Sequence, residues 1–582
     1  MSTTVDYKSR SRPARDAESP APLPRRRGRV AITVVLLCAL ALSAVLQQTA
    51  FSYRYAAVNR NRPAGAPMPS RVANLDSFSL ALLLGGLRGP LVMFLWINSE
   101  SQKSEKDLDS FDTQVELIRL LQPEFDTVHL FQIWNKAYNV SVQLASLANK
   151  YATILDAVEY ARRTDQANPN DLNILSAIGG LFTDKLGNST EKEYYRRRVR
   201  SETLPLYRVT FPAARTDAFK KAVADAGLDQ SRLRVTTDAG GSATAIVDKL
   251  GGDRVLATFN GPGVKVEAVP RQSLRPVNRS GRRTEMDTLV DARGDLLPEF
   301  IRPTHAVPAG AEDNDGSELQ YLKQFQPYPY GVSPLALGYD YAKRAQVLSR
   351  VTHQKHLQLS DQVIDNQPGL ALKQWADEEW DRGRRLEQRG LAKQPAGDTG
   401  PRELRTAAAA PDTPVVDRAA IAEAIFSYQK AAQVAAGSLA EVTSHIERFP
   451  SKLQNYYSQS DNLKAIISLN NADALYLQAV TKSDRERGAL LAQAKTNYQE
   501  ALRWFEILIL KYYSDDTDAA ALKYSTATVA DKSSAELQEL TRQMMVHLAK
   551  TYKSVEASPH GSDVLEYDEN IRRITQRLSL IK

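Results

Sequence analysis

The sequence predicts a mainly α-helical protein: an array of helical hairpins that carries a small α/β or β-hairpin insertion and is preceded by one transmembrane helix. Three observations lead there. An uncharged run, Val30–Leu46 (VAITVVLLCALALSAVL), stands near the start. After residue 108, long stretches repeat apolar side chains at three- and four-residue spacing. A Gly-punctuated stretch over 205–316 interrupts that period. At 582 residues the chain exceeds the roughly 250–300 at which one core stops growing, so several cores or an elongated array are expected. With 43% hydrophobic and 25% charged residues and one Cys, wholesale disorder and a disulfide scaffold are excluded.

The net charge of +7 and pI of about 9.1 suggest a nucleic-acid binder until the charges are located. Residues 1–29 hold eight basic side chains against three acidic ones, a net of +5. Residues 30–75 add four arginines and no acid, which leaves −2 for 76–582. The excess therefore flanks the apolar run, and nucleic acid is not an expected partner.

Residues 1–29 read as a basic cytoplasmic tail, 30–50 as a transmembrane anchor and 51–77 as a Pro-rich spacer. Seventeen uncharged residues are just long enough to span, and Gln47–Phe51 extend them into the interface. Arg25, Arg26, Arg27 and Arg29 abut the start and favour a cytoplasmic N-terminus. A cleaved signal fits less well, because the 29-residue leader is long and no small-x-small site follows the run. Membrane lipid, met through residues 30–50 and the flanking arginines, is thus an expected partner. The expected location is the inner (cytoplasmic) membrane, single-pass, with the bulk of the chain extracytoplasmic. Cys38 lies within the run, so the exported part forms no disulfide. A second apolar stretch, Phe78–Trp96, carries Arg88 and Gly89–Pro90 at its centre and reads as a buried helical hairpin opening the soluble fold.

Residues 78–204 read as a helical region. Glu124–Val142 places Val128, Phe131, Trp134 and Tyr138 on one face. Lys150–Gln166 follows with Ile154, Leu155, Val158 and Ala161, and a third helix carries Leu172, Leu175, Ile178 and Phe182 to a stop at Gly187–Asn188. Thr190 and Glu193 have the spacing of a capping box. Within 205–316, a helix over Arg215–Ala226 precedes strand-like runs at Leu233–Thr237, Arg254–Phe259 and Val264–Val269, with loops at 271–284 and 303–317. Residues 317–390 resume the helices: Ser333–Pro334 caps one running to about Arg350, and another covers about Leu370–Arg389 with Trp375 and Trp380. Residues 391–416 read as an Ala/Pro linker. Residues 417–582 return to long helices, with Ile421, Ile425, Tyr428 and Ala432 on one face, a cap at Ser533–Glu536, and Tyr567, Ile571, Ile574 and Leu578 on the last face.

The tetratricopeptide pattern asks for small residues four and three apart, then a proline. Ala157, Ala161, Thr164 and Pro169 keep that spacing; Ala494, Tyr498 and Ala501 keep it without the proline; Leu337–Gly338 with Tyr341 reproduces the first-helix element. The runs GGLRGPLVMFLW (85–96), LIRLLQPEFDTVHLFQIWNKAYNVSV (117–142) and PYPYGVSPLALGYDYAKRAQ (327–346) resemble bacterial single-pass membrane-anchored proteins with degenerate tetratricopeptide-like repeats. The likeness covers about half the chain, mainly 78–200 and 320–390, and implies no catalytic residues.

Candidate chemistry is sparse. His353 and His356 are spaced to share a metal, but a site needs further ligands and Lys355 stands between them. Glu378–Glu379 and Asp515–Asp516 are sequence neighbours, so they are expected to diverge around a helix or lie on a loop. Arg293–Gly294–Asp295 reads as a turn. The arginine runs at Arg196–Arg200, Arg271–Arg283 and Arg382–Arg385 read as solvated faces, and Trp134, Tyr138, Trp375 and Trp504 as core. No Walker, zincin or nucleophile-elbow motif occurs. No catalytic, cofactor or metal residue is assigned and no cofactor is expected. The expected function is a membrane-tethered helical scaffold for protein–protein interaction; the alternative is an envelope enzyme acting on a glycan or peptide between the insertion and the helices.

Overall fold

The computed structural model describes residues 91–98 apart from 96, 117–118, 126–269, 289–297, 319–391, 415–514 and 532–581, with one- or two-residue breaks inside these spans. The tail, the anchor over 30–50, the spacer, the loops at 271–284 and 303–317 and most of the 391–416 linker lie outside the described residues. No helix among the described residues is long and apolar enough to cross a membrane. The chain divides into two compact units, residues 1–64 with 68–123, and residues 65–67 with 124–582. In the first, the described part of Phe78–Trp96 is helical, but Met93 and Phe94 are 66% and 62% exposed, so these side chains are not buried as the hairpin reading expected.

The second unit is mainly helical with one small antiparallel sheet. Helix α1 (Asp126–Trp134) runs into a π-helical turn over Asn135–Val140; α2 spans Leu147–Ala167; α3 (Leu172–Gly180) continues as a π-helical turn, Leu181–Gly187; α4 spans Lys192–Glu202. Asp171 caps α3 by accepting the Asn173 and Ile174 N–H groups at 2.8 and 3.2 Å. The box expected at Thr190 does not form. Glu191 occupies the cap position without a side-chain bond, and the Thr190 hydroxyl donates instead to the Glu191 carboxylate at 2.9 Å. On α1, Val128 and Ile133 are buried but Trp134 is 49% exposed; six residues after Val128, it stands about 240° around a regular helix, off the buried face.

The insertion is a four-stranded sheet with two helices. β1 (Leu206–Pro212), α5 (Thr216–Asp225), β2 (Val235–Thr237), β3 (Ser242–Asp248), α6 (Lys249–Thr258) and β4 (Lys265–Ala268) follow in order. The strands lie β2-β3-β1-β4, all neighbours antiparallel, which is the split-βαβ arrangement. Val209, Phe211, Ala243, Ala245 and Val247 alternate along β1 and β3 toward one face, where Phe219, Val223, Val255 and Phe259 of the helices cover them. The expected strand at Arg254–Phe259 is therefore a helix. Asp248 caps it through the Gly251 N–H at 2.6 Å, and Gly251–Gly252, which resembles a turn, lets its first residues close on Leu228 and on Val247 and Tyr207.

After the insertion come α7 (Pro334–Thr352), α8 (Asp361–Leu391), α9 (Arg418–Arg448), α10 (Leu453–Thr481), α11 (Asp484–Ser514), α12 (Ser534–Tyr552) and α13 (Gly561–Leu580). Ser333 caps α7 with Pro334 in its first turn, and Ser533 with Glu536 closes a capping box on α12, as their sequences predict; Asp417 caps α9. α8 starts nine residues before the expected Leu370 and carries Pro368 inside it. α7 packs on α3 and its π-helical continuation, each of α8 to α11 packs on its predecessor, and α12 and α13 both close on α11. Ala157 and Ala161 of α2 and Ala494, Tyr498 and Ala501 of α11 are fully buried.

The α8–α9 pair shows why small residues stand where they do. Gly369, Gly383 and Gly390 face Val442, Tyr428 and Ile421 respectively, at spacings of fourteen and seven on both helices, as an antiparallel seam requires. The fully buried Ala376 and Ala435 occupy the register position between. A Cβ at Gly383 would stand 2.8 Å from the Tyr428 ring. Gly383→Ala is expected to lower the stability by roughly 1–3 kcal/mol through overpacking. Gly488→Ala on α11, where a Cβ meets nothing within 4 Å, is expected to gain a few tenths up to about 1 kcal/mol. Denaturant midpoints followed by circular dichroism separate the two.

Candidate functional site

Four of the charged residues singled out by the sequence, Arg200, Glu378, Glu379 and Arg382, meet in one place. Glu378 and Glu379, expected to diverge around α8, instead converge on Arg200 of α4: Nε lies 2.9 Å from Glu378 and Nη2 2.6 Å from Glu379, both carboxylates being 3% exposed. One guanidinium reaches both because its two donor edges span the angle between adjacent helical positions. The Ser333 hydroxyl, which caps α7, also donates to Glu378, and the Trp375 indole N–H donates to Glu379 at 3.1 Å. Arg382, one turn along α8, approaches Glu379 at 3.4 Å, donates to Glu423 of α9, and gives Ser427 a bond of 2.9 Å. Gly331, with φ of 81°, lies against the Arg200 carbonyl where a Cβ has no room, so the chain leaving the insertion passes directly over α4.

Lys430 completes the cluster from α9. It is 4% exposed, donates to the Phe325 carbonyl and to Gln433 at 3.1 Å, and its ammonium lies 5.0 Å from the Tyr328 ring and 5.4 Å from Phe426. Burial pushes it down to about 8, against the charge of Glu379. Burial also opposes ionisation of Glu379, yet Arg200 and Arg382 outweigh it and hold that carboxyl down at about 2. Three cations thus face three carboxylates. The arrangement fastens α4, α7, α8 and α9 to one another and leaves the carboxylates engaged by cations rather than poised as acid or base.

A second network closes the C-terminal helices. Glu387 of α8 accepts from the Tyr428 hydroxyl at 2.7 Å and from Arg577; Asp473 of α10 accepts from Arg573 at 2.6 Å and from the Tyr498 hydroxyl at 2.7 Å. The Arg577 guanidinium lies 4.4 Å from the Tyr476 ring centre. Burial raises the Tyr428 and Tyr498 phenols well above their usual range.

The remaining candidates separate. His353 caps α7 in the left-handed region, and the His356 Nδ1 accepts the Gln358 and Leu359 N–H groups at 3.0 Å, so the two do not share a ligand. Arg293–Gly294–Asp295 is a turn in which Asp291 accepts the Arg293 and Asp295 N–H groups. Arg196 bonds the Gly187 carbonyl at 2.7 Å and Arg198 pairs with Glu202 at 2.5 Å, so much of that run serves packing rather than a solvated face. Asp515–Asp516 and Arg271–Arg283 lie outside the described residues. Trp375 is core at 1% exposure, and the Lys464 ammonium lies 4.6 Å from the half-buried Trp504 ring. Among the described residues, no three His, Cys, Asp or Glu side chains gather to hold a metal.

No protein family, no curated protein and no solved structure matches this chain. Its function rests on its own residues.

Glu387, Glu423, Lys430, Asp473, Arg573 and Arg577 escaped the sequence reading. The signal for Glu379 and Glu387 is their position: with Trp375 and Gly383 they recur every four residues on α8, placing carboxylates on the apolar stripe. The lysine and arginines carry no such mark, since long cationic side chains commonly edge an apolar face with their heads in water.

Proposed function

We propose that the chain is a membrane-tethered helical scaffold that presents its extracytoplasmic helices to protein partners. The observation that carries this reading is the use of charge. The acids and bases gathered at Glu378–Glu379 and at Glu387 bind one another across helices, which suits a rigid interaction surface. The uncharged run at Val30–Leu46 with its flanking arginines supports the tether. Apolar side chains stand exposed on the first half of α8, where Val363 and Leu370 share a face at seven-residue spacing. An envelope enzyme working on a glycan or peptide needs acids or bases free to face a substrate, and Glu378, Glu379 and Glu423 between the insertion and the helices are each held by arginine.

Cross-linking followed by purification of the full chain from detergent-solubilised membranes is expected to return a stoichiometric protein partner. The double variant Val363→Asp, Leu370→Asp is expected to lose that partner while keeping its thermal midpoint. Recovery of no partner above background by the wild-type chain overturns the scaffold reading. Release of the intact protein by an alkaline carbonate wash overturns the tether.

A further inference from the structure

A cavity of about 40 Å³ lies where the end of α7, the start of α8 and the end of α9 meet, with Arg350, His353, Lys355, Asp361, Asp365 and Arg448 in its wall. Asp365 organises it. Its carboxylate accepts from Arg350 Nε at 2.7 Å, lies 3.8 Å from Arg448 Nε, and is 2.9 Å from the fully buried His445 ring. One carboxylate therefore positions two guanidinium groups at once. Lys355 pairs with Asp361 on the opposite side. Three permanent cations and two carboxylates leave the wall with one unmatched positive charge. The helix ends do not cancel it: α7 and α9 turn negative ends here and α8 a positive one, each worth only about half a charge.

Arg350 bonds Asp365 through Nε, and its Nη2 makes no hydrogen bond within the protein. A buried guanidinium N–H without an acceptor is costly, and natural structures supply one. The cavity that Arg350 lines exceeds the roughly 10–15 Å³ that one water needs, so it admits a small ion, although not a nucleotide. We propose that this cavity binds a small oxyanion of the phosphate class, gripped by Arg350 and Arg448 and steered by Lys355. Phosphate suits it because guanidinium groups held at fixed angles bind tetrahedral oxyanions through several parallel bonds. The same chemistry is offered by inorganic phosphate and by the terminal phosphate of a larger molecule.

Thermal unfolding of the full chain in detergent micelles tests this. Sodium phosphate is titrated against sodium chloride at matched ionic strength, with glycerol 3-phosphate as a parallel arm. A saturable rise in midpoint with phosphate or its monoester beyond that with chloride supports the site, and the tighter of the two says whether the ligand is free or the end of a larger molecule. Arg448→Gln is expected to weaken the response by roughly tenfold or more, with an unchanged midpoint in phosphate-free buffer. Should that variant unfold, Lys355→Gln, at a 74% exposed side chain, gives the same reading through a smaller loss. Equal shifts with phosphate and chloride, or a folded Arg448→Gln that responds as the wild type does, overturn the proposal.

Discussion

Arg200→Met is expected to destabilise the protein by roughly 3–5 kcal/mol, the largest effect of any single change at the buried cluster. Methionine keeps the packing of the apolar stem; what is lost is the cation shared by two adjacent carboxylates that are each 3% exposed. Arg382 stays 3.4 Å from Glu379 but already serves Glu423, and Glu378 keeps only the Ser333 hydroxyl. The pH dependence identifies the cause. In the wild type the Glu379 carboxyl is held at about 2, so its contribution is full above the ordinary carboxylate range near 4.5 and is lost as pH falls from there toward 2. In the variant the upward push of burial on Glu379 is no longer offset by Arg200, so acid relieves that carboxylate. The gap between wild type and variant should therefore narrow as pH falls from 7 to 4, measured by denaturant unfolding at each pH. A gap below about 1 kcal/mol, or one indifferent to pH, would show that the network contributes little. Glu379→Gln placed on Arg200→Met should recover part of the loss, as a double-mutant cycle reports.

How much of this was legible follows from the kind of signal each element carries. Helices with a clear apolar stripe and a side-chain cap were readable at their ends: Ser333 with Pro334, and Ser533 with Glu536, lie where the sequence places them. The insertion was readable only as mixed α and β. Strand β3 (SATAIVD) packs Ala243 and Ala245 inward, and two alanines give almost no contrast with their neighbours in a two-residue period. The helix α6 hid behind two glycines, which signal a turn in a sequence but here allow close approach to the sheet. The two π-helical turns at 135–140 and 181–187 cannot be seen in a 3.6-residue period at all, whereas Trp134, six residues after Val128, falls off the buried face of α1 even in a regular helix. The ionic cluster failed for a different reason. Arg200 and Glu378 are 178 residues apart, and nothing local to either tells which charge will be buried opposite it.

Glu506→Gln is expected to stabilise the protein by about 3 kcal/mol above pH 7, where most substitutions of buried residues destabilise. Glu506 sits on α11 within the core that α12 and α13 close; it is 0% exposed, and no hydrogen bond of normal geometry reaches either oxygen. Burial pushes its carboxyl up to about 7, against the weaker pull of Gln538 on α12 and Arg503 on its own helix. The sign follows from proton binding. Between the unfolded value near 4.5 and about 7 the native state binds a proton that the unfolded chain releases, so wild-type stability falls as pH rises through that window and stays lowered above it. The amide keeps the shape of the neutral acid and removes the titration. Wild type and variant should therefore match near pH 4 and separate steadily up to pH 8. Because Gln538 faces the carboxyl from α12, the weakened contact is the docking of Ser534–Tyr552. Amide exchange in that helix, corrected for the intrinsic rate, should be faster in the wild type than in Glu506→Gln at pH 8 and equal near pH 4. Parallel stability curves across that range would show that Glu506 is solvated in solution, and that α12 is held by the burial of Leu537, Met544 and Leu548 alone.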